Sequence, residues 1–409
     1  MFPPCARPRE TAQSAAIGGD GPQRLLNDTA RAIAAGEIDV ALVGGGEAVA
    51  SLRAAQLAGR TPHWRRQPER VQPTHTLGRD RAAINEAETA AGLGPPVSMY
   101  ALIETAVRAA DGSAPDAHLA RIAGLWSRFS AVAAQNPHAW IRRRYTATQI
   151  ATASPENRLV SAPYTKLLTA NIQVNMASGL IVASAEAARW AGVPKDRWVF
   201  IHAGAQAEDE WHVTERDRLA ASPAINVVGR AVLEHAGLGI DEIAHLDLYS
   251  CFPAAVQIAA RELGLATHDP ARPLTVTGGL TFAGGPGNNY SGHAVAALVE
   301  HLREEPAAYG LVTALGWYLT KHAVGVYSAR PPRTPFRSLD PKPQTPPARR
   351  ARTDYTGPAT VEAYTVAYER DGTAEAAVVS ALTPDGDRAV IRTPENDVID
   401  AILSEDRTG

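Results

Sequence analysis

The chain has 409 residues, 45% of them hydrophobic and 20% charged, with a formal net charge of −3. That length suits two or three domains of roughly 100–200 residues, and the composition is that of a globular protein. The near-neutral balance argues against nucleic acid or an anionic membrane as main partner.

The two cysteines, Cys5 and Cys251, are too few for a disulfide framework and suit a reducing compartment. No apolar run approaches the ~18 residues that span a bilayer, and no signal-peptide core follows Met1, so a cytoplasmic location is expected.

Residues 1–16 have no periodicity and read as a poorly ordered lead-in. A helical face runs from Leu25 to Ala35, with Gly36 placed to end it. IDVALVGGGEA (38–48) is a short, continuously apolar run and predicts a buried strand of a parallel sheet. Residues 60–165 are rich in Arg, Pro, Trp and helix formers and predict a mostly helical insertion.

Strand and helix patterns resume with SGLIVASA (178–185) and WVFIHAGA (198–205), then the helix AINVVGRAVLEHAGL, the strand IAHLDLYS and the helix PAAVQIAARELGL. LTFAGGPGNNYSG (280–292) is a glycine-rich turn opening a helix, where backbone can approach a ligand closely. LVTALGWYLTKHAVGVYSA predicts a strand pair joined by a glycine-containing turn. Residues 331–353 have the proline-rich, charged composition of an extended linker. Beyond them, alternating runs around Asp371-Gly372 and Asp385-Gly386 predict hairpins and a small antiparallel sheet or barrel.

Four blocks resemble the thiolase superfamily. GGDGPQRLLNDTARAIAAGEIDVALVGGGEA is similar to the segment in which a reactive cysteine opens a helix leading to a strand ending Gly-Gly-x-Glu. LDLYSCFPAAV resembles Asn-Glu-Ala-Phe, and more closely the His-Asp-Cys-Phe form of sterol-carrier-type thiolases. TGGLTFAGGPGNNYSGH resembles the Gly-Gly-x-x-x-x-Gly-His-Pro block, and ALGWYLTKH falls where the family has its Cys-x-Gly turn. Together with the extra β domain, the set is most similar to the actinobacterial thiolase-like proteins type 1.

The resemblance implies a two-half α/β/α layered fold. Its expected parts are a partial N-terminal half (1–58), a helical loop insertion (59–165), a return to the first half (166–195), a C-terminal half (196–330), a linker (331–353) and a β domain (354–409). Only sixteen residues precede Ile17, so the first half is expected to be short of strands, from a missing N-terminal segment.

Thiolases attack a thioester with a cysteine thiolate activated by a helix N-terminus and a histidine. By the resemblance, the nucleophile position is Gly18, the Gly-His-Pro histidine is Gly285, the second cysteine is Ala314, and the Asn or His of the oxyanion hole is Tyr249. Glycine and alanine carry no titratable group, so ordinary thiolase chemistry is not expected.

Tyr249, Cys251, Tyr290 and Tyr318 remain as candidate catalytic groups, because tyrosines can act as acids or bases when tuned. Each also has an ordinary reading: a packed ring with a satisfied hydroxyl, or a buried inert thiol. Gly18, Gly284, Gly285, Asn288, Asn289, His293 and Gly316 are candidate substrate-binding positions. The backbone of Gly284–Gly287 and of Leu315-Gly316 is expected to present N–H groups to a thioester carbonyl.

No histidine spacing suggests a metal, and GGG at 44–46 does not complete a dinucleotide fingerprint. No cofactor is expected beyond a coenzyme A thioester as substrate or ligand. Three readings stay open: an acyltransferase-like protein, a retro-aldol or retro-Claisen lyase working through tyrosines, and a non-catalytic acyl-CoA-binding or partner-docking module. The β domain resembles the oligonucleotide-binding-like partner of some retro-aldol relatives, and a protein subunit or a second copy is a possible partner by the same resemblance.

Overall fold

The computed structural model describes residues 12–65, 68, 71–406 and 408; Cys5 lies outside them. The alternating pattern of the second half gives a mixed five-stranded sheet in the order Ser338–Leu339, Phe200–Glu208, Lys321–Ser328, Tyr309–Gly316, Ile243–Asp247. Helices Pro223–Ala236 and Pro253–Leu263 pack together on one face, and Gly21–Ala34 with Tyr290–Glu304 cover the other. With both faces covered, the strands Tyr309–Gly316 and Lys321–Ser328 are buried almost throughout, which accounts for their unbroken apolar runs.

The turn between these two strands differs from expectation. Its left-handed positions fall on Trp317 (φ 57°) and Leu319 (φ 58°), not on a glycine. The Tyr100 hydroxyl holds them, donating to the Trp317 carbonyl at 3.1 Å and accepting from the Leu319 amide at 3.1 Å.

The first half departs more. The run at 38–48 forms the strand Val40–Ala48, but it pairs antiparallel with Asn175–Ala183 in a two-stranded ribbon, not within a parallel sheet. Along Val40–Ala48 only Val43 is buried, and the facing pair Leu42 and Ile181 are 76% and 79% exposed. A ribbon covered on one side buries alternate residues only, so an apolar run no longer reports burial. In the lead-in, Gln13–Ala15 is ordered as a strand parallel to His75–Leu77.

The helical stretch is present as Pro96–Ala110 and Pro115–Gln135, with shorter helices on either side. Its end supplies two strands, Leu159–Ser161 and Tyr164–Thr165, to a six-stranded sheet with the C-terminal strands Thr360–Tyr368, Ala374–Leu382 and Arg388–Thr393. The hairpin turns fall at the two Asp-Gly pairs, with Gly372 at φ 91° and Gly386 at φ 84°.

The proline-rich linker is tied at both ends. Ser338–Leu339 lies along Phe200–Glu208, Arg349 bonds the Asp217 carboxylate at 2.8 Å, and Ala351–Arg352 joins the strand Arg388–Thr393. The fully buried Arg388 then clamps the C-terminal domain to the core. Its guanidinium takes both oxygens of Glu362, at 2.7 and 2.8 Å, and donates to the carbonyls of Thr214, Arg216 and Asp217.

Removing one partner of a buried, hydrogen-bonded ion pair costs about 3–5 kcal/mol. Arg388→Ala is therefore expected to lower the unfolding free energy measured in urea by that order and to open residues 339–409 to protease before the rest of the chain. Unchanged unfolding and proteolysis would show that the clamp contributes nothing.

Candidate functional site

Four turns meet at one end of the layered core. They are 17–20 at the start of helix Gly21–Ala34, 249–252 before helix Pro253–Leu263, 283–289 before helix Tyr290–Glu304, and 316–320 in the buried hairpin. Asn288 Oδ1 accepts from the Gly18 amide at 3.0 Å, and Ser291 Oγ donates to the Gly19 carbonyl at 3.0 Å. Between the turns lies a cavity of about 780 Å³, lined by Gly18, Tyr249, Cys251, Gly285, Asn288 and Tyr318 among others. Ile17, Val97, Phe252, Leu280, Leu315 and Trp317 form apolar parts of its wall.

The nucleophile position is not an empty seat. A β-carbon on Gly18 would come within 2.3 Å of Asp20 Oδ1 and 2.6 Å of Lys321 Nζ. On Gly19 it would meet the Tyr249 hydroxyl at 2.1 Å and the Leu315 carbonyl at 2.5 Å. Gly316 is equally closed, with Asp20 Oδ1 at 2.2 Å from the position of its β-carbon. Asp20 and Lys321, which sequence reasoning missed, fill the floor. Lys321 Nζ donates to the Ile17 carbonyl at 2.5 Å and lies 3.4 Å from the Asp20 carboxylate, with both side chains almost fully buried. A lysine at the start of a largely apolar strand gives no sequence signal of a partner so far away.

The glycine turn does not offer the expected oxyanion hole. The Gly284 amide bonds the Gly279 carbonyl, the Gly285 amide bonds Asn171 O at 2.8 Å, and the Gly287 amide bonds Gly285 O at 2.8 Å. A compact turn satisfies its own backbone before it can serve a ligand. Two side-chain donors face the cavity instead. Among the described residues neither the Tyr249 hydroxyl nor the Asn288 amide NH₂ has a hydrogen-bond partner recorded, and both residues line the hollow. Burial raises the Tyr249 phenol, with the Cys251 thiol adding to the shift, so this hydroxyl stays neutral and is a donor rather than a base.

The other candidates separate. Burial pushes the Cys251 thiol up to about 12, against partial relief from the Tyr100 hydroxyl; it lines the cavity as an inert group. Tyr318 lines the cavity with its ring, but its hydroxyl donates to the Gly94 carbonyl at 2.6 Å.

Tyr290 does not reach this cavity. Its hydroxyl lies 2.6 Å from Thr277 Oγ1 and 2.9 Å from Asp247 Oδ1, and the ring borders a separate hollow of about 390 Å³. His293 borders that second hollow too, its pKa lowered to about 4 by burial and by His138. Asn289 ties the strand Val40–Ala48 to the core through the Gly45 carbonyl at 2.7 Å, and Gly284 packs against Met176. Three of the four expected catalytic groups thus share one cavity, and none of the three is poised as a base.

Residues 339–409 match the model of the thiolase-like protein type 1 additional C-terminal domain. The fold is similar to the crystal structure of a monomeric SCP2-thiolase-like protein type 1 from Mycobacterium smegmatis, with a TM-score of 0.80 and 32% identity over 96% of this chain and 79% of that one. It is also similar in fold to an Ltp2–ChsH2(DUF35) aldolase (TM-score 0.53, 19% identity, 77% of this chain and 78% of that one). The dimeric peroxisomal thiolase of Saccharomyces cerevisiae matches at TM-score 0.51 and 15% identity, over 76% of this chain and 75% of that one. No curated protein matches the sequence significantly.

Overpacking a closed site costs about 1–3 kcal/mol. Gly18→Cys is expected to lose stability of that order in urea unfolding and to gain no thiolysis of 3-oxoacyl-CoA; a stable variant with thiolysis would show that the seat is open after all. A thiol raised from 9.0 to about 12 is roughly a thousandfold poorer in thiolate below pH 9. In a Cys5→Ser background, native Cys251 should therefore alkylate at least about a hundredfold more slowly than the unfolded chain at pH 8, and equal rates would contradict its burial.

Proposed function

The chain belongs to the family of SCP2-thiolase-like proteins type 1, and on that premise we propose that it binds coenzyme A thioesters in the four-turn cavity without forming an acyl-enzyme. The observation that carries this reading is the coexistence of a roomy, partly apolar hollow of about 780 Å³ with a nucleophile seat closed by Asp20, Lys321 and Tyr249. A hollow of that size takes a ligand of drug-like bulk. A closed seat removes the covalent step, since no side chain can be placed at Gly18 or Gly19 without moving its surroundings.

The neutral Tyr249 hydroxyl and the Asn288 amide supply hydrogen-bond donors for a thioester carbonyl, the role that preorganised dipoles play in acyl-transfer sites. A second reading rests on the same hydroxyl. A carbon–carbon lyase needs an acid to protonate the enolate released on cleavage, and the neutral Tyr249 hydroxyl lining the cavity supports that role. It also needs a base for the 3-hydroxyl, and the carboxylate on the cavity wall is Glu156, which lies exposed at the edge.

Titration calorimetry of the full chain with CoA, acetyl-CoA and a long-chain 3-oxoacyl-CoA is expected to show saturable heat for the esters, with no thiolysis in parallel assays. Absence of binding to every ester would refute the reading. Release of an aldehyde or ketone from a 3-hydroxyacyl-CoA, abolished by Tyr249→Phe, would favour the lyase instead.

A further inference from the structure

Three cations that the candidate site did not include stand at the edge of the same cavity: Arg158, Lys166 and Arg370. They come from distant parts of the sequence and are brought together by one sheet. Leu159–Ser161 pairs antiparallel with Thr360–Tyr368, with Ser161 opposite Ala367. Arg158 directly precedes the first of these strands and Arg370 lies on the hairpin turn that follows the second, and both line the cavity. On the other side the Lys166 amide bonds the Arg158 carbonyl at 2.9 Å. Lys166, Arg158 and Arg370 therefore stand at the ends of neighbouring strands around one cavity mouth.

Like charges on adjacent strands repel, and such a cluster is destabilising unless something neutralises it. None of the three has an ion pair recorded among the described residues; Arg158 donates only to the neighbouring Leu159 carbonyl, at 3.1 Å. Among the described residues Glu156 is the one carboxylate lining the cavity with them. Three cations against one acid leave an excess of two positive charges at the mouth of a hollow whose walls are partly apolar. The ligand that suits this arrangement carries its phosphates at one end and an uncharged tail at the other.

Resting on the reading of the cavity as a thioester site, we propose that Arg370, on the hairpin turn of the C-terminal domain, completes with Arg158 and Lys166 a phosphate-binding cluster that holds the nucleotide end of coenzyme A. The C-terminal domain is then part of the binding site. The cluster reads the phosphates while the cavity takes the pantetheine arm and the acyl group. Arg370 is exposed, and its turn is closed by its own backbone, with Glu369 N bonded to Thr373 O at 2.9 Å and Gly372 N bonded to Glu369 O at 3.1 Å. A change of side chain there leaves the fold intact.

The test is calorimetry of the full chain, as wild type, Arg370→Glu and Arg370→Lys, against acetyl-CoA, 3′-dephospho-acetyl-CoA and S-acetylpantetheine. Charge-assisted contacts to phosphate are the strong ones. Arg370→Glu should therefore bind acetyl-CoA at least about tenfold more weakly, Arg370→Lys should keep most of the affinity, and S-acetylpantetheine should be indifferent to both changes. Wild-type affinity for acetyl-CoA should also fall more steeply with added salt than that of Arg370→Glu.

If wild type binds acetyl-CoA and Arg370→Glu matches it within twofold, the phosphate cluster is wrong while the cavity reading stands. If wild type binds S-acetylpantetheine as tightly as acetyl-CoA, the cluster is likewise overturned. If it binds neither, both readings fall together.

Discussion

The site is organised around one buried contact, Lys321 with the turn that precedes helix Gly21–Ala34. The ammonium reaches the Ile17 carbonyl at 2.5 Å and sits 3.4 Å from the Asp20 carboxylate. Arg24 holds the other Asp20 oxygen at 3.4 Å, while the Oδ1 facing Lys321 makes no hydrogen bond, so the charge of this buried carboxylate is offset by the ion pairs around it. Lys321 belongs to the hairpin of the second half and Asp20 to the first helix, and their contact draws the two halves together. It also forces glycine at Gly18 and Gly316, whose β-carbons would fall on these side chains. The loss of a nucleophile and the filling of its place are therefore one structural fact. A thiol could not be restored at Gly18 without displacing a buried ion pair.

The same economy holds for the C-terminal domain. It is not suspended on its linker. Its sheet takes in two strands from the segment before residue 166, Arg388 enters the core to bond three backbone carbonyls, and the guanidinium of Arg108, on helix Pro96–Ala110, pairs with the Asp406 carboxylate beyond the last helix. That pairing holds Asp406 down at about 2, well below the usual carboxylate range. A domain fixed from three directions can carry a binding residue such as Arg370 to a stated place, which a tethered domain could not.

Much of this was legible in the sequence where local rules decide. The period-two runs flanking Asp371-Gly372 and Asp385-Gly386 gave hairpins because the turn residues and the alternation agree. The strands and helices between 196 and 330 followed from unbroken apolar runs separated by helical spacing, whereas the meeting of the four turns was implied only by the resemblance of their blocks to those of the thiolase superfamily. What failed was decided by tertiary partners. IDVALVGGGEA reads as buried, yet among the described residues its strand has a single neighbour and one bare face. Tyr249 and Tyr290 look equivalent in sequence, but the Asp247 carboxylate, held by Thr275 and Thr277, takes the Tyr290 hydroxyl away from the cavity. Arg158 and Arg370 become neighbours only through a strand pairing that joins distant segments.

The wall of the cavity nearest Trp317 shows how protonation and shape are coupled. Left-handed backbone at a bulky residue costs about 1–2 kcal/mol, and the turn holds two such residues, Trp317 and Leu319. The compensating bonds come from one atom, the Tyr100 hydroxyl, which donates to one of these residues and accepts from the other. Only a neutral phenol can do both, since a phenolate has no proton to give to the Trp317 carbonyl. Burial, reinforced by the neighbouring Cys251 thiol, lifts the Tyr100 pKa well above its ordinary value, so the hydroxyl keeps its proton. The Tyr100 ring stacks on Phe252 with centroids 4.6 Å apart, so the buried phenol that sets the turn is held by packing as well as by hydrogen bonds.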